Sequence, residues 1–258
     1  YTVTFKTTSG SGVTWAAADK GTKMVYSDGT NVIDTAFTDL SSDITPQLAG
    51  TLDANGNNII IDGGNSILDE SSNEQIKFTT TGSAVNEFTV ANAATGNAPS
   101  ISATGGDTNI DLNLTPKGVG RATFNGQGKI QSVAEKVTTA ATSATGTINF
   151  DVLTQAVLNF TSDAGGNYTL NIRGDGSNSL DSIMDTGESI TIAHIVKQGG
   201  TPYYNNAVTI DGSSITPEWQ GGSAPSSGNA NSLDVYSYTI IKTGSATFTA
   251  LASQTQFA

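Results

Sequence analysis

The chain has 258 residues, room for one large or two modest domains, and a net charge of −12 with a pI near 4.2. Its 11 Lys and Arg are spread along the chain and give no basic face for nucleic acid, and the acidic surface opposes docking on anionic lipid. There is no cysteine for disulfides or thiolate metal sites, and no apolar run nears the ~20 residues of a membrane span.

Hydrophobic residues make up 36% of the chain and charged residues only 13%. Disorder couples low hydrophobicity with high charge, so this balance argues for a fold. Thr, Val and Ile suit a pleated surface, and Gly and Asn suit the turns between strands. The chain begins at Tyr1 without Met or a visible signal peptide, which reads as a fragment or a processed chain.

Residues 1–38 read as a small β-module. Tyr1, Val3 and Phe5 alternate with Thr2, Thr4 and Lys6. Further short strands are predicted at Val13 to Trp15, Lys23 to Tyr26 and Asn31 to Phe37, with Ser27-Asp28-Gly29-Thr30 as a hairpin turn.

Residues 39–125 read as a repetitive stalk. Asp39 to Asp62 offers only Leu48, Leu52, Ile59 and Ile61 for burial, too few for a core of its own. Five strands are predicted at Gln75 to Thr79, Glu87 to Ala91, Pro99 to Ala103, Asn109 to Leu114 and Arg121 to Phe124, spaced by about 11 residues. A lone thread of such strands exposes its edges. Three chains winding into a prism solve this, with Phe88, Val90, Ile110, Leu112 and Leu114 as the trimer core. A parallel solenoid within one chain is the alternative, although solenoid rungs carry longer and more regular apolar runs.

Residues 126–146 read as a neck. Ile130, Val133 and Val137 are spaced by three and four, which fits a short helix or a continued strand. Residues 147–258 read as a head of eight strands: Ile148 to Leu153, Ala156 to Thr161, Tyr168 to Arg173, Ser189 to Lys197, Ala207 to Asp211, Ile215 to Trp219, Leu233 to Lys242 and Ala246 to Leu251. Both faces of the two longest strands carry apolar residues. Ser179 to Asp185 suits one helical turn. The pattern predicts an antiparallel β-sandwich or jelly roll.

No catalytic or metal constellation stands out. His194 is the only histidine, lies mid-strand and reads as structural. Asp53, Asn55 and Asn57 resemble the start of a calcium loop, but the sixth and twelfth positions are Asn58 and Gly64 instead of Gly and Glu. Asp175, Ser177 and Asp181 form another oxygen-rich loop. Arg173-Gly174-Asp175 reads as a strand running into a turn. Glu188 and Glu218 stand isolated, and glycoside hydrolysis needs a facing pair of carboxylates. The receptor-contact candidates are Tyr203, Tyr204, Asn205, Trp219 and Gln220, because aromatic faces beside amides suit sugar stacking. They also suit the rim of a sandwich core, which is the commoner role of such residues.

Collinear stretches over most of the chain carry a family likeness. ITPQLAGTLDANGNNI resembles a TPQLGG-LD-NGN-I segment of bacteriophage tail-fibre-like proteins, and FTVANAATGNAPSISATGGDTNIDLNLTPKGVG is similar to a repeat in such fibres from marine cyanobacterial phages. Segments including GESITIAHIVKQGGTPYYNN and DVYSYTIIKTGSATFTALASQTQFA resemble the carboxy-terminal region of their virion structural proteins.

The resemblance implies an exterior virion appendage, homotrimeric, joined to other virion proteins through a region upstream of residue 1. It transfers no catalytic residue and no cofactor. The expected chain is therefore all-β, an elongated trimeric β-stalk followed by an antiparallel β-sandwich or jelly-roll head. Its expected role is non-enzymatic attachment to a host-surface glycan or protein, without nucleic acid or membrane insertion. Two alternatives are a purely structural or decorating protein whose head trimerises or caps the stalk, and a tailspike-type polysaccharide depolymerase.

Overall fold

Strict alternation of side chains governs this structure, a computed structural model that describes residues 1–18, 23–34 and 56–257. Almost all its regular structure is β, and the chain divides into two compact units, Tyr1–Ile110 and Asp111–Ala258.

The first unit, over its described residues, is a series of antiparallel hairpins. β1 (Val3–Lys6) pairs with β2 (Gly12–Trp15), and β3 (Val25–Ser27) pairs with β4 (Val32–Asp34) across the Asp28-Gly29 turn. The two hairpins meet where Val32 N donates to Ser11 O at 3.0 Å. β5 (Ser66–Leu68) pairs with β6 (Glu74–Lys77), and β7 (Asn86–Ala91) with β8 (Ser100–Gly105). In the last hairpin Phe88 faces Ala103 and Val90 faces Ile101 across the ladder. Phe88, Val90 and Ile101 are all exposed, and Val13 and Val32 are the buried apolar side chains among the described residues of this unit.

The predicted strands at Asn109 to Leu114 and Arg121 to Phe124 are absent: these residues form no ladder within the chain. Their alternation is real, but a strand needs a neighbour to take its backbone hydrogen bonds, and no described residue supplies one there. The returning strand predicted to reach Phe37, and the loop at Asp53 and Asn55, extend outside the described residues.

The second unit is a sandwich of two sheets around one core. One sheet has four strands in the order β10 (Gly146–Asp151), β12 (Tyr168–Arg173), β14 (Asn205–Ile210) and β15 (Ser213–Ile215). The other has six, in the order β16 (Glu218–Trp219), β18 (Thr247–Phe257), β17 (Leu233–Gly244), β13 (Ser189–Lys197), β11 (Val157–Phe160) and β9 (Val137–Ala140). β9 therefore belongs to the head and not to the neck.

The sandwich is mixed, which corrects the expected antiparallel jelly roll. From β9 to β14 successive strands alternate between the sheets, so each pairs in parallel with the strand two along: β9 with β11, β11 with β13, β10 with β12 and β12 with β14. The crossover that parallel pairing needs is the intervening strand in the other sheet. Antiparallel pairing joins β14 to β15 and β17 to its neighbours β13 and β18, while β16 adds to β18 in parallel.

Inward residues follow the period of two. Tyr168, Leu170 and Ile172 on β12 meet Ile192, His194 and Val196 on β13 and Tyr236, Tyr238 and Ile240 on β17, all in one buried cluster. The Asp211-Gly212 turn joining β14 to β15 has both residues at positive φ, 51° and 80°, which matches the twist of a two-residue hairpin.

The Asp211 carboxylate also accepts from Leu180 N at 2.7 Å and Asp181 N at 3.0 Å. With Ser179 as N-cap, these bonds hold the short helix α1 (Leu180–Ile183) over the core, where Leu180 is fully buried. Lys242 closes the helix's other end, its Nζ 2.9 Å from Met184 O and 2.7 Å from Asp181 Oδ1.

Candidate functional site

The edge of the head brings together two of the five sequence-predicted contact residues, Trp219 and Gln220. Pro217 is buried and fixes the chain's approach to β16, and the Gln220–Gly222 turn, with Gly221 and Gly222 at positive φ, carries it away. Trp219 pairs with Ala252, which in turn faces Tyr238. The indole therefore stands on the inner side, its ring 6.0 Å from Tyr238 in an edge-to-face contact. It forms the rim of the sandwich core and opens onto a cavity of about 260 Å³ with Asn206, Ser214, Thr216 and Pro217. On the outer side a shallow groove of about 420 Å³ is lined by Glu218, Gln220, Ser237, Thr239, Leu251 and Ser253. Three hydroxyls, one amide and one carboxylate beside an aromatic rim are suited to hydrogen-bonding a polyhydroxylated ligand.

Asn205 is placed differently from expectation. It is buried, and its side chain is used up inside: Nδ2 donates to Tyr168 O at 3.1 Å and Ala207 O at 2.9 Å, while Oδ1 accepts from the Tyr238 hydroxyl at 2.9 Å. It latches the two sheets together and leaves little for an outside ligand. Tyr203 and Tyr204 lie off the Trp219 cavity and groove. Their loop is held by its backbone: Tyr203 N donates to Gln198 Oε1 at 2.9 Å, Tyr203 O accepts from Gln198 Nε2 at 2.7 Å, and Tyr204 N donates to Asn167 Oδ1 at 3.1 Å. Gln198 Nε2 also donates to Asp234 Oδ2 at 2.9 Å, tying this loop to β17.

His194 is fully buried, with Phe160 and Tyr168 edge-on at 5.5 and 5.4 Å and Tyr236 at 6.2 Å. Neither ring nitrogen has a hydrogen-bond partner among the described residues. Burial in this aromatic cage pushes its pKa down to about 3. Neighbouring Asp234 moves the other way, burial raising its carboxyl above the usual range.

The oxygen-rich loop after β12 closes on itself. Asp175 Oδ1 accepts from Ser177 N at 2.7 Å and Asn178 N at 2.8 Å, and Asp181 is spent on Lys242. Arg173 pairs with Asp151 at 2.7 Å. No group of three or more potential metal ligands occurs among the described residues.

Sequence reasoning missed a second cluster. Glu188, read as isolated, holds Arg121 through two contacts of 2.6 Å, and Asp185 takes the same guanidinium at 2.8 Å. The Glu188 carboxyl is held below its usual range, first by the backbone N–H of Asp185 and then by Arg121. The stretch from Val119 to Arg121 thereby forms one wall of an apolar cavity of about 500 Å³ whose other walls include Val152, Leu153, Ile183, Met184 and Ile190. A separation of 67 residues gave no signal by which Arg121 and Glu188 could be paired.

Compared with family models, curated proteins and solved structures, the chain matches none.

Proposed function

We propose that this chain is a non-enzymatic β-fibre protein of a virion exterior, assembled as a homotrimer, with the head presenting its Trp219 edge to a host-surface glycan or protein. The observation that carries the reading is the exposure of the hairpins. A two-stranded hairpin is marginal in water. Here Phe88 is 59% and Val90 70% exposed on one face of β7, and Phe5, Tyr26, Ile67 and Ile76 are exposed on the others. Copies winding together cover those faces and give the edge strands partners. Leu112 and Leu114, exposed and without a ladder, belong to the same shared core in this reading.

The hydroxyl-rich groove supports the attachment role, because weak heads on one fibre bind together far more tightly than singly. Removing residues 137–258 tests it. Loss of adsorption to host cells with particles otherwise intact is the expected result; misassembled fibres would leave the head a structural cap. New reducing ends from host polysaccharide incubated with the purified protein would instead reveal a depolymerase.

A further inference from the structure

We propose that the cavity walled by Leu153, Met184 and Ile190 receives the segment Lys129–Val133 of a second copy of this chain. The inference rests on the oligomeric reading and says which surfaces meet.

The cavity and the segment are neighbours along the chain. The chain leaves the cavity's rim at Arg121, clamped by Asp185 and Glu188. It comes back at Lys136, whose carbonyl accepts from Ala156 N at 2.9 Å and Val157 N at 3.1 Å, and Ala156 also lines the cavity. Between these anchors, residues 122–135 form no ladder and no helix. Ile130 and Val133 in this excursion are 70% and 67% exposed. Each copy thus carries an apolar cavity of about 500 Å³ and, arising from its rim, apolar side chains that do not enter it.

Charge and the apolar lining point to the same occupant. At the rim, two carboxylates face one guanidinium, leaving one negative charge over, and Lys129 flanks Ile130. At the wall, Gln155 is only 7% exposed. Its Oε1 accepts from the hydroxyls of Thr138 and Thr154, which fixes this part of the wall. The aliphatic side chains of Ile130 and Val133 match a lining of Val152, Leu153, Ile183, Met184 and Ile190. Because the two surfaces differ, the contact is head-to-tail, and in a trimer it closes into a ring of three.

The absence of cysteine makes the test clean. Full-length Ile130→Cys and Leu153→Cys chains are unfolded, mixed, refolded together and oxidised. A covalent two-chain species in the mixture, beyond what either variant forms alone, is expected. An assembly of native mass with no such species overturns the proposal, as does a double variant that closes only within one chain. A monomeric mass removes the oligomeric reading and this inference together. Ile130→Asp, which places a second negative charge at the rim, raises the dissociation concentration about tenfold; an unchanged value contradicts the contact. Saturable shifts of the Met184 methyl resonance on adding 2-octanone to an assembly lacking the cross-link would give the cavity to a small uncharged ligand and overturn the proposal.

Discussion

His194 occupies a place where a charge cannot stay. The unfolded chain takes up a proton near pH 6.5, whereas the folded core refuses it until about pH 3. A depressed folded-state pKa of this kind leaves stability whole above pH 6.5 and removes it as pH falls toward 3. Over that window the loss amounts to roughly 5 kcal/mol, at 1.36 kcal/mol per pH unit. Asp234 acts with the opposite sign, because its raised carboxyl costs stability when ionised and that cost is relieved on protonation. His194→Phe isolates the first effect: urea unfolding across pH 3–7 is expected to show a far smaller acid loss in the variant, and parallel curves for the two proteins would contradict it. Gly228 is a second constrained position. A Cβ there would sit 2.3 Å from Tyr203 O and 2.8 Å from Asp234 Oδ2. Gly228→Ala should therefore cost about 1–3 kcal/mol and lower the melting temperature. At this scale the sequence was legible where a residue's role is local, as for the structural reading of His194. It was not legible for Asn205, whose partners Tyr168 and Tyr238 lie 37 and 33 residues away.

Among the elements, strand positions were readable and strand partners were not. The alternation in YTLNIR and SITIAHIVK marks β12 and β13 at their observed ends. A period of two says which side chains share a face, but nothing about which strand lies alongside, so parallel pairing between strands two apart looked the same as a meander. The helical turn α1 was visible in its Ser179 cap, yet its closure by Lys242 was not. The Lys242 side chain is buried and serves Met184 O and Asp181 together. Lys242→Met removes that closure and leaves the acceptors unpaired, at a cost of about 2–3 kcal/mol after allowing for the partial exposure of Asp181. Hydrogen exchange is expected to quicken at Ser182 and Met184 first; unchanged protection there would show that α1 holds without the lysine. At the Trp219 edge, Gln220→Ala and Ser253→Ala lie on the outer groove, and both are expected to weaken binding to host-surface glycan without changing the melting temperature. Undiminished binding in both would move the contact elsewhere on the head.

For the whole molecule, the division into a thread of hairpins and a packed sandwich follows from where apolar residues are dense enough to close a core. Residues beyond Val137 bury three tyrosines, two phenylalanines and a run of aliphatics in one cluster, whereas the described part of the first unit buries two valines. That contrast was present in the sequence as sparse alternation before Gly120 and dense alternation after Gly146. Among the described residues the sparse half stays uncovered, and the strands expected at Asn109 to Leu114 and Arg121 to Phe124 find no ladder. The most direct measurement is the mass of the intact protein in solution by light scattering at micromolar concentration. Three copies of the 26.4 kDa chain are predicted. A stable monomer with its hairpins still protected from hydrogen exchange would contradict the account.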